Sequence, residues 1–136
     1  MRGYPISKIE GIGPTYAEKL KAVDVTSTDK LLERAKGPKD RKALAEASGI
    51  DETRILKWAN MADLMRISGV GEEYSELLEA AGVDTVKELK NRRADNLTAK
   101  MAEVNETRKL VRQVPSQSQV EKWVAQAKDL PPILTY

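Results

Sequence analysis

Ile9-Glu10-Gly11-Ile12-Gly13-Pro14-Thr15-Tyr16-Ala17-Glu18-Lys19-Leu20 lines up with Ile67-Ser68-Gly69-Val70-Gly71-Glu72-Glu73-Tyr74-Ser75-Glu76-Leu77-Leu78 at a constant offset of 58 residues. The register holds through Val25 and Val83 and on to Leu31 and Leu89. Farther along, Lys57-Trp58 and Asp63-Leu64 reappear, after insertions, as Lys122-Trp123 and Asp129-Leu130. The chain is therefore two copies of a unit of about 60 residues, divided here as residues 1–62 and 63–136.

Within each copy, apolar residues recur at steps of three and four between capping residues, and no strand pattern competes. The spacing predicts an all-α fold. Helices are expected at 14–23, 27–36, 39–48 and 52–60 in the first unit, after a short helical turn ahead of Gly11. In the second they are expected at 72–81, 85–92, 95–104 and 117–129. Asp51 can cap the fourth helix, and Ser116 with Gln119 forms a capping box for the last. Val120, Trp123, Val124 and Ala127 make one apolar stripe on that last helix, whereas Asn105 to Pro115 has no clear period. The tail from Pro131 to Tyr136 is expected to be frayed or draped over the surface. Repeat-equivalent positions for Trp58 and Trp123 on apolar stripes place both in the core. The units should pack as one compact body sharing a continuous apolar interface.

Each repeat centres on a hydrophobic-Gly-hydrophobic-Gly turn that leads into a helix. The glycines let the backbone reverse at φ > 0, and Ile12 or Val70 plugs the gap between the flanking helices. A helix starting just after the second glycine brings unpaired N–H groups and the positive end of its dipole to one spot, which suits an anion. Pro14 at the first helical position gives up an N–H that has no helical partner anyway. The same turn also builds a tight corner between packed helices with nothing bound.

"GIGPTYAEKL" resembles the helix-hairpin-helix family, whose hairpins grip the DNA phosphate backbone without reading bases, and "GVGEEYSELL" resembles it more loosely. Residues 6 to 130 also look like an uncharacterised bacterial family of tandem helix-hairpin-helix proteins, for which "WANMADLMRISGVGEEYSELLEAAGVDTVKEL" reads as a signature stretch. The resemblance implies phosphate contacts at the amides of Gly11, Ile12 and Gly13, with Thr15 able to add a hydroxyl donor.

Charge separates the copies. Residues 1–60 carry twelve Lys and Arg against nine Asp and Glu, a net +3, while the remainder carries eleven against twelve, a net −1. Lys36, Lys39, Arg41 and Lys42 gather around Gly37-Pro38, and Lys19 flanks the first hairpin. With the hairpin they form the candidate nucleic-acid surface, sequence-blind and salt-sensitive. The second hairpin has five acidic residues and no basic one between Gly69 and Asp84, and Glu72 and Glu73 at the start of its helix would repel phosphate. Glu72, Glu73 and Glu76 are instead candidates for a contact with another protein or another copy, with Met61, Met65 and the tail as its only apolar support.

With no Cys and no His in 136 residues, thiolate nucleophiles, His bases, Ser-His-Asp triads, Cys/His zinc sites and disulfides are excluded. Carboxylates are plentiful, but nothing in their spacing marks a catalytic pair, so neither an enzyme nor a cofactor or metal is expected. The absence of a signal-like or membrane-length apolar run points to a cytoplasmic protein without a membrane partner. The expected role is non-enzymatic, non-specific nucleic-acid binding by a monomer, and the alternative is a protein-interaction or self-assembly scaffold.

Overall fold

The computed structural model describes residues 3–136; Met1 and Arg2, which open the first unit, lie outside the described residues. A 3-10 turn at Ile6–Lys8 leads into α1 (Pro14–Lys21), α2 (Thr28–Arg34), α3 (Pro38–Ser48) and α4 (Glu52–Leu64). Then follow α5 (Glu72–Ala80), α6 (Val86–Lys90), α7 (Ala94–Arg108) and α8 (Gln117–Asp129). The fold is all-α, and the only β pairing among the described residues is an isolated bridge between Pro5 and Ser27.

Local chemistry sets most of the boundaries. Side chains of Ser27, Asp51, Thr85 and Ser116 accept the backbone N–H three residues on, capping α2, α4, α6 and α8; such a cap contributes about 1 kcal/mol. Gln119 returns the bond to the Ser116 N–H at 2.9 Å, completing the expected box. Pro14 and Pro38 occupy the first positions of α1 and α3, where the missing N–H removes no helical bond.

The repeat extends to individual backbone bonds. Ile12 N–H donates to Ile9 O at 3.1 Å and Val70 N–H to Ile67 O at 3.1 Å, and the chain re-enters the core through Val25 N–H to Leu20 O and Val83 N–H to Leu78 O, both 2.8 Å. Gly11 and Gly69 have φ of +94° and +92°, a conformation that an L side chain resists. Tyr16 packs on Trp58, and Tyr74 on Trp123, each at 5.2 Å between ring centroids.

Three expectations need correction. First, α4 continues past residue 60 to Leu64, and α7 past 104 to Arg108. The end of α7 is polar, which hid its period, and beyond it the Asn105 side chain ties down the loop by exchanging two 3.0 Å bonds with the Val111 backbone. Second, the apolar interior is two clusters rather than a continuous one. They meet at the end of α4, where Met61 and the capping residue Met65 enter the first and Leu64 the second. Both methionines are almost wholly buried, so they offer no apolar support to a partner. Third, of the two alternatives for the tail, fraying falls: the tail drapes back over the first unit as a strap. Leu134 is buried in the first cluster, Thr135 N–H donates to Lys36 O at 2.7 Å, and the Tyr136 hydroxyl meets Asn60 at 2.6 Å. The 1–62 and 63–136 division is thus crossed by both α4 and the strap.

One polar cluster is buried between the units. Arg66 and Asp63 pair at 2.8 Å with side chains only 4% and 5% exposed. The other Asp63 oxygen accepts Val86 N–H at 2.8 Å, and Arg66 donates to Pro131 O at 2.7 Å. The end of α4, the start of α6 and the root of the strap are joined through it.

Candidate nucleic-acid interface

The first corner is bare. Gly11, Gly13, Pro14, Thr15 and Lys19 are exposed, and a Cβ at Gly13 would meet nothing within 4 Å. Gly13 caps α1 without a side-chain bond, so the N–H groups of the first turn look outward. Beside them stands Tyr16, with Lys19 Nζ 5.9 Å and the Arg54 guanidinium 5.3 Å from its ring centroid, distances at which a cation is drawn to the ring face. Arg54 also pairs with Asp51, which holds that carboxyl below its usual range through the Arg54 hydrogen bonds.

Ile12 leaves the predicted contact set. Its side chain is buried and its N–H is turned inward onto Ile9 O, because the reversal at Gly11 closes a turn over that amide. Arg41 leaves it too. It is 5% exposed, and its guanidinium donates to the carbonyls of Ala35, Lys36 and Thr135 at 2.9, 3.2 and 2.8 Å, with Tyr136 stacked 5.4 Å away. A cation so committed is not free for a phosphate.

Lys36, Lys39 and Lys42 are exposed, but α4 separates them from the hairpin. Arg54 and Trp58, one turn apart, face Tyr16 and Gly11. Thr53, Leu56 and Asn60 line the corner with Pro38, Arg41 and Tyr136. At about 100° per residue these sets lie on roughly opposite sides of the helix. The basic residues therefore form two surfaces. Arg54 is the hairpin cation that the sequence reading passed over, although its i, i+4 spacing to Trp58 was a usable signal.

The second corner is fronted by carboxylates. Tyr4 and Lys8 of the first unit share a pocket with Gly71, Glu72 and Glu73. Glu76 and Glu79 turn toward the first unit, where Lys57 Nζ lies 3.8 Å from Glu79. Burial, and for Glu76 the like charge of Glu10, raise both carboxyls above their ordinary values. Of the predicted acidic contact surface, Glu73 is exposed while Glu72 and Glu76 are half-buried.

Residues 10–130 match the profile of a domain of unknown function, DUF4332. The chain belongs to that family. Both corners lie inside the matched span, and the strap lies beyond it. No solved structure matches the chain. A groove of about 820 Å³ runs between the units past Tyr4, Ile67, Gln126 and Ile133; among the described residues its walls carry no carboxylate. Among the described residues, no helix is long and apolar enough to cross a membrane.

Proposed function

We propose that this chain binds nucleic acid through the phosphate backbone, without reading sequence and without catalysing a reaction. The contacts are the N–H groups of Gly11 and Gly13, the hydroxyl of Thr15 and the cations of Lys19 and Arg54. A cytoplasmic monomer belongs to the same reading. The observation that carries it is the charge contrast between two corners of one backbone design: the first is open and flanked by Lys19 and Arg54, while the second is fronted by Glu72 and Glu73, with Tyr4 and Lys8 across a shared pocket. The helix-hairpin-helix resemblance of "GIGPTYAEKL" supports the same corner.

With two or three phosphates neutralised, log K should fall against log salt with a slope of roughly −2 to −3. A titration of random-sequence duplex and single-stranded DNA across salt concentrations tests this. Lys19→Glu should abolish most of the binding, while Lys39→Glu with Lys42→Glu should leave it nearly intact, because those lysines lie across α4. No binding at about 50 mM salt overturns the reading.

The second reading, a protein-interaction or self-assembly scaffold, is favoured by the separation of Lys36, Lys39 and Lys42 from the hairpin, which leaves each basic group small. It gains if Lys19→Glu changes nothing, and sedimentation at low and high salt then tests for assembly.

A further inference from the structure

The two tryptophans do more than fill the core. Trp58 is 2% exposed and Trp123 is 3% exposed, yet in each the indole nitrogen is directed at the first glycine of a corner. A Cβ on Gly11 would lie 3.5 Å from Trp58 Nε1, and one on Gly69 would lie 3.3 Å from Trp123 Nε1. A side chain at either glycine would cover that N–H.

Indole Nε1–H is a donor only and normally finds an acceptor when its ring is buried. Among the described residues, no acceptor meets Trp58 Nε1 within hydrogen-bond distance. Nor is this nitrogen among the buried polar atoms that lack a partner, which are Asp29 Oδ1 and Arg66 Nε. The nitrogen lies at the floor of the corner, beside Gly11, where only the absence of a Cβ leaves it room. The ring is held by the core and by Tyr16, so the donor is fixed before any ligand arrives. Fixing it costs no side-chain entropy on binding.

We propose that Trp58 is a binding residue of the first corner, its indole N–H donating to a phosphate oxygen of the nucleic-acid backbone. This rests on the phosphate-binding reading above and adds a residue to it. An acceptor-only, negatively charged oxygen matches the donors of this corner: Nε1–H, the first-turn N–H groups and the Thr15 hydroxyl are all able to donate, Lys19 supplies charge, and Arg54, paired with Asp51 through one nitrogen, keeps its other donors. Trp123 is the built-in control. It has the same ring, the same tyrosine and the same glycine, but its corner opens beside Glu72 and Glu73.

The experiment uses the full chain labelled with ¹⁵N, titrated with a random-sequence DNA duplex of about 20 base pairs at low salt and followed through the two indole N–H resonances. The Trp58 resonance should move with saturation and the Trp123 resonance should stay. In parallel, Trp58→Phe should weaken binding about tenfold, the fold-change of losing one hydrogen bond to a charged oxygen, and Trp123→Phe should leave it unchanged. Thermal melts confirm that each variant folds, and the wild-type resonances carry the test if Trp58→Phe does not fold. If DNA binds and Lys19→Glu weakens it while the Trp58 resonance is static and Trp58→Phe binds normally, the indole assignment is overturned and the phosphate-binding reading survives. If the wild-type chain binds no DNA, both fall.

Discussion

Asp24 and Gly82 are repeat-equivalent, and both adopt positive φ, +62° and +95°, just past α1 and α5. They make matching bonds, Asp24 N–H to Lys21 O at 2.9 Å and Gly82 N–H to Glu79 O at 3.0 Å. Only glycine takes this conformation without a steric penalty. Asp24 offsets part of its penalty through an exposed 3.4 Å pair with Lys30, worth about 0–1 kcal/mol at most. Asp24→Gly should therefore raise stability by up to about 1 kcal/mol. Gly82→Ala should lower it by about 1 kcal/mol, since the added Cβ would meet only Arg92 at an ordinary 3.7 Å. Urea melts of the two variants check the signs, and a destabilised Asp24→Gly would mean that the Lys30 pair outweighs the backbone.

Among the elements, the seating of α2 and α6 shows where the copies diverged. The first N–H of α2 donates to Tyr4 O at 2.9 Å, whereas that of α6 donates to Asp63, a carboxylate neutralised by Arg66. Removing one partner leaves the other charge buried, at a cost of about 3–5 kcal/mol. Asp63→Ala should show that loss in denaturant melts, and Asp63→Leu with Arg66→Met should recover much of it, apart from the Val86 N–H left unpaired. The i, i+3 spacing of Asp63 and Arg66 was visible in the sequence but their burial was not, because Val86 and Pro131, which complete the cluster, come from α6 and the strap. The same reason made Arg41 look like a surface cation: its carbonyl partner Thr135 is 94 positions away. By contrast, both glycine corners, the caps at Ser27, Asp51, Thr85 and Ser116 and the buried tryptophans were legible, since each follows from a local period or a φ requirement. The first corner was legible as a backbone shape. Its flanking cations were not, because whether Lys39 or Arg54 stands beside Gly13 is decided by which face of α4 each side of the fold meets.

The whole molecule has two apolar clusters, which could unfold separately if nothing joined them. Here α4 gives Ile55, Trp58 and Met61 to the first and Leu64 to the second, so unfolding either unit strips a face from the helix of the other. The strap adds a second link, since it starts after α8 in the second unit and buries Leu134 in the first. One cooperative transition is the expectation for the intact chain. Ending the chain at Pro132, which keeps the Pro131 carbonyl on Arg66, removes a buried leucine, worth about 1.5–3 kcal/mol, and the Thr135 carbonyl that satisfies buried Arg41, whose orphaned donor costs a further 1–3 kcal/mol or so. The loss falls on the first unit alone. Calorimetry of the truncated chain should show its transition broadened or split, with amide exchange accelerated in α3 before α8. Tyr136→Ala, which keeps Leu134 and the Thr135 carbonyl, should retain the single transition with only a small loss. Equal acceleration across α3 and α8 in the truncated chain would mean that α4 alone couples the units and that the strap merely lies on the surface.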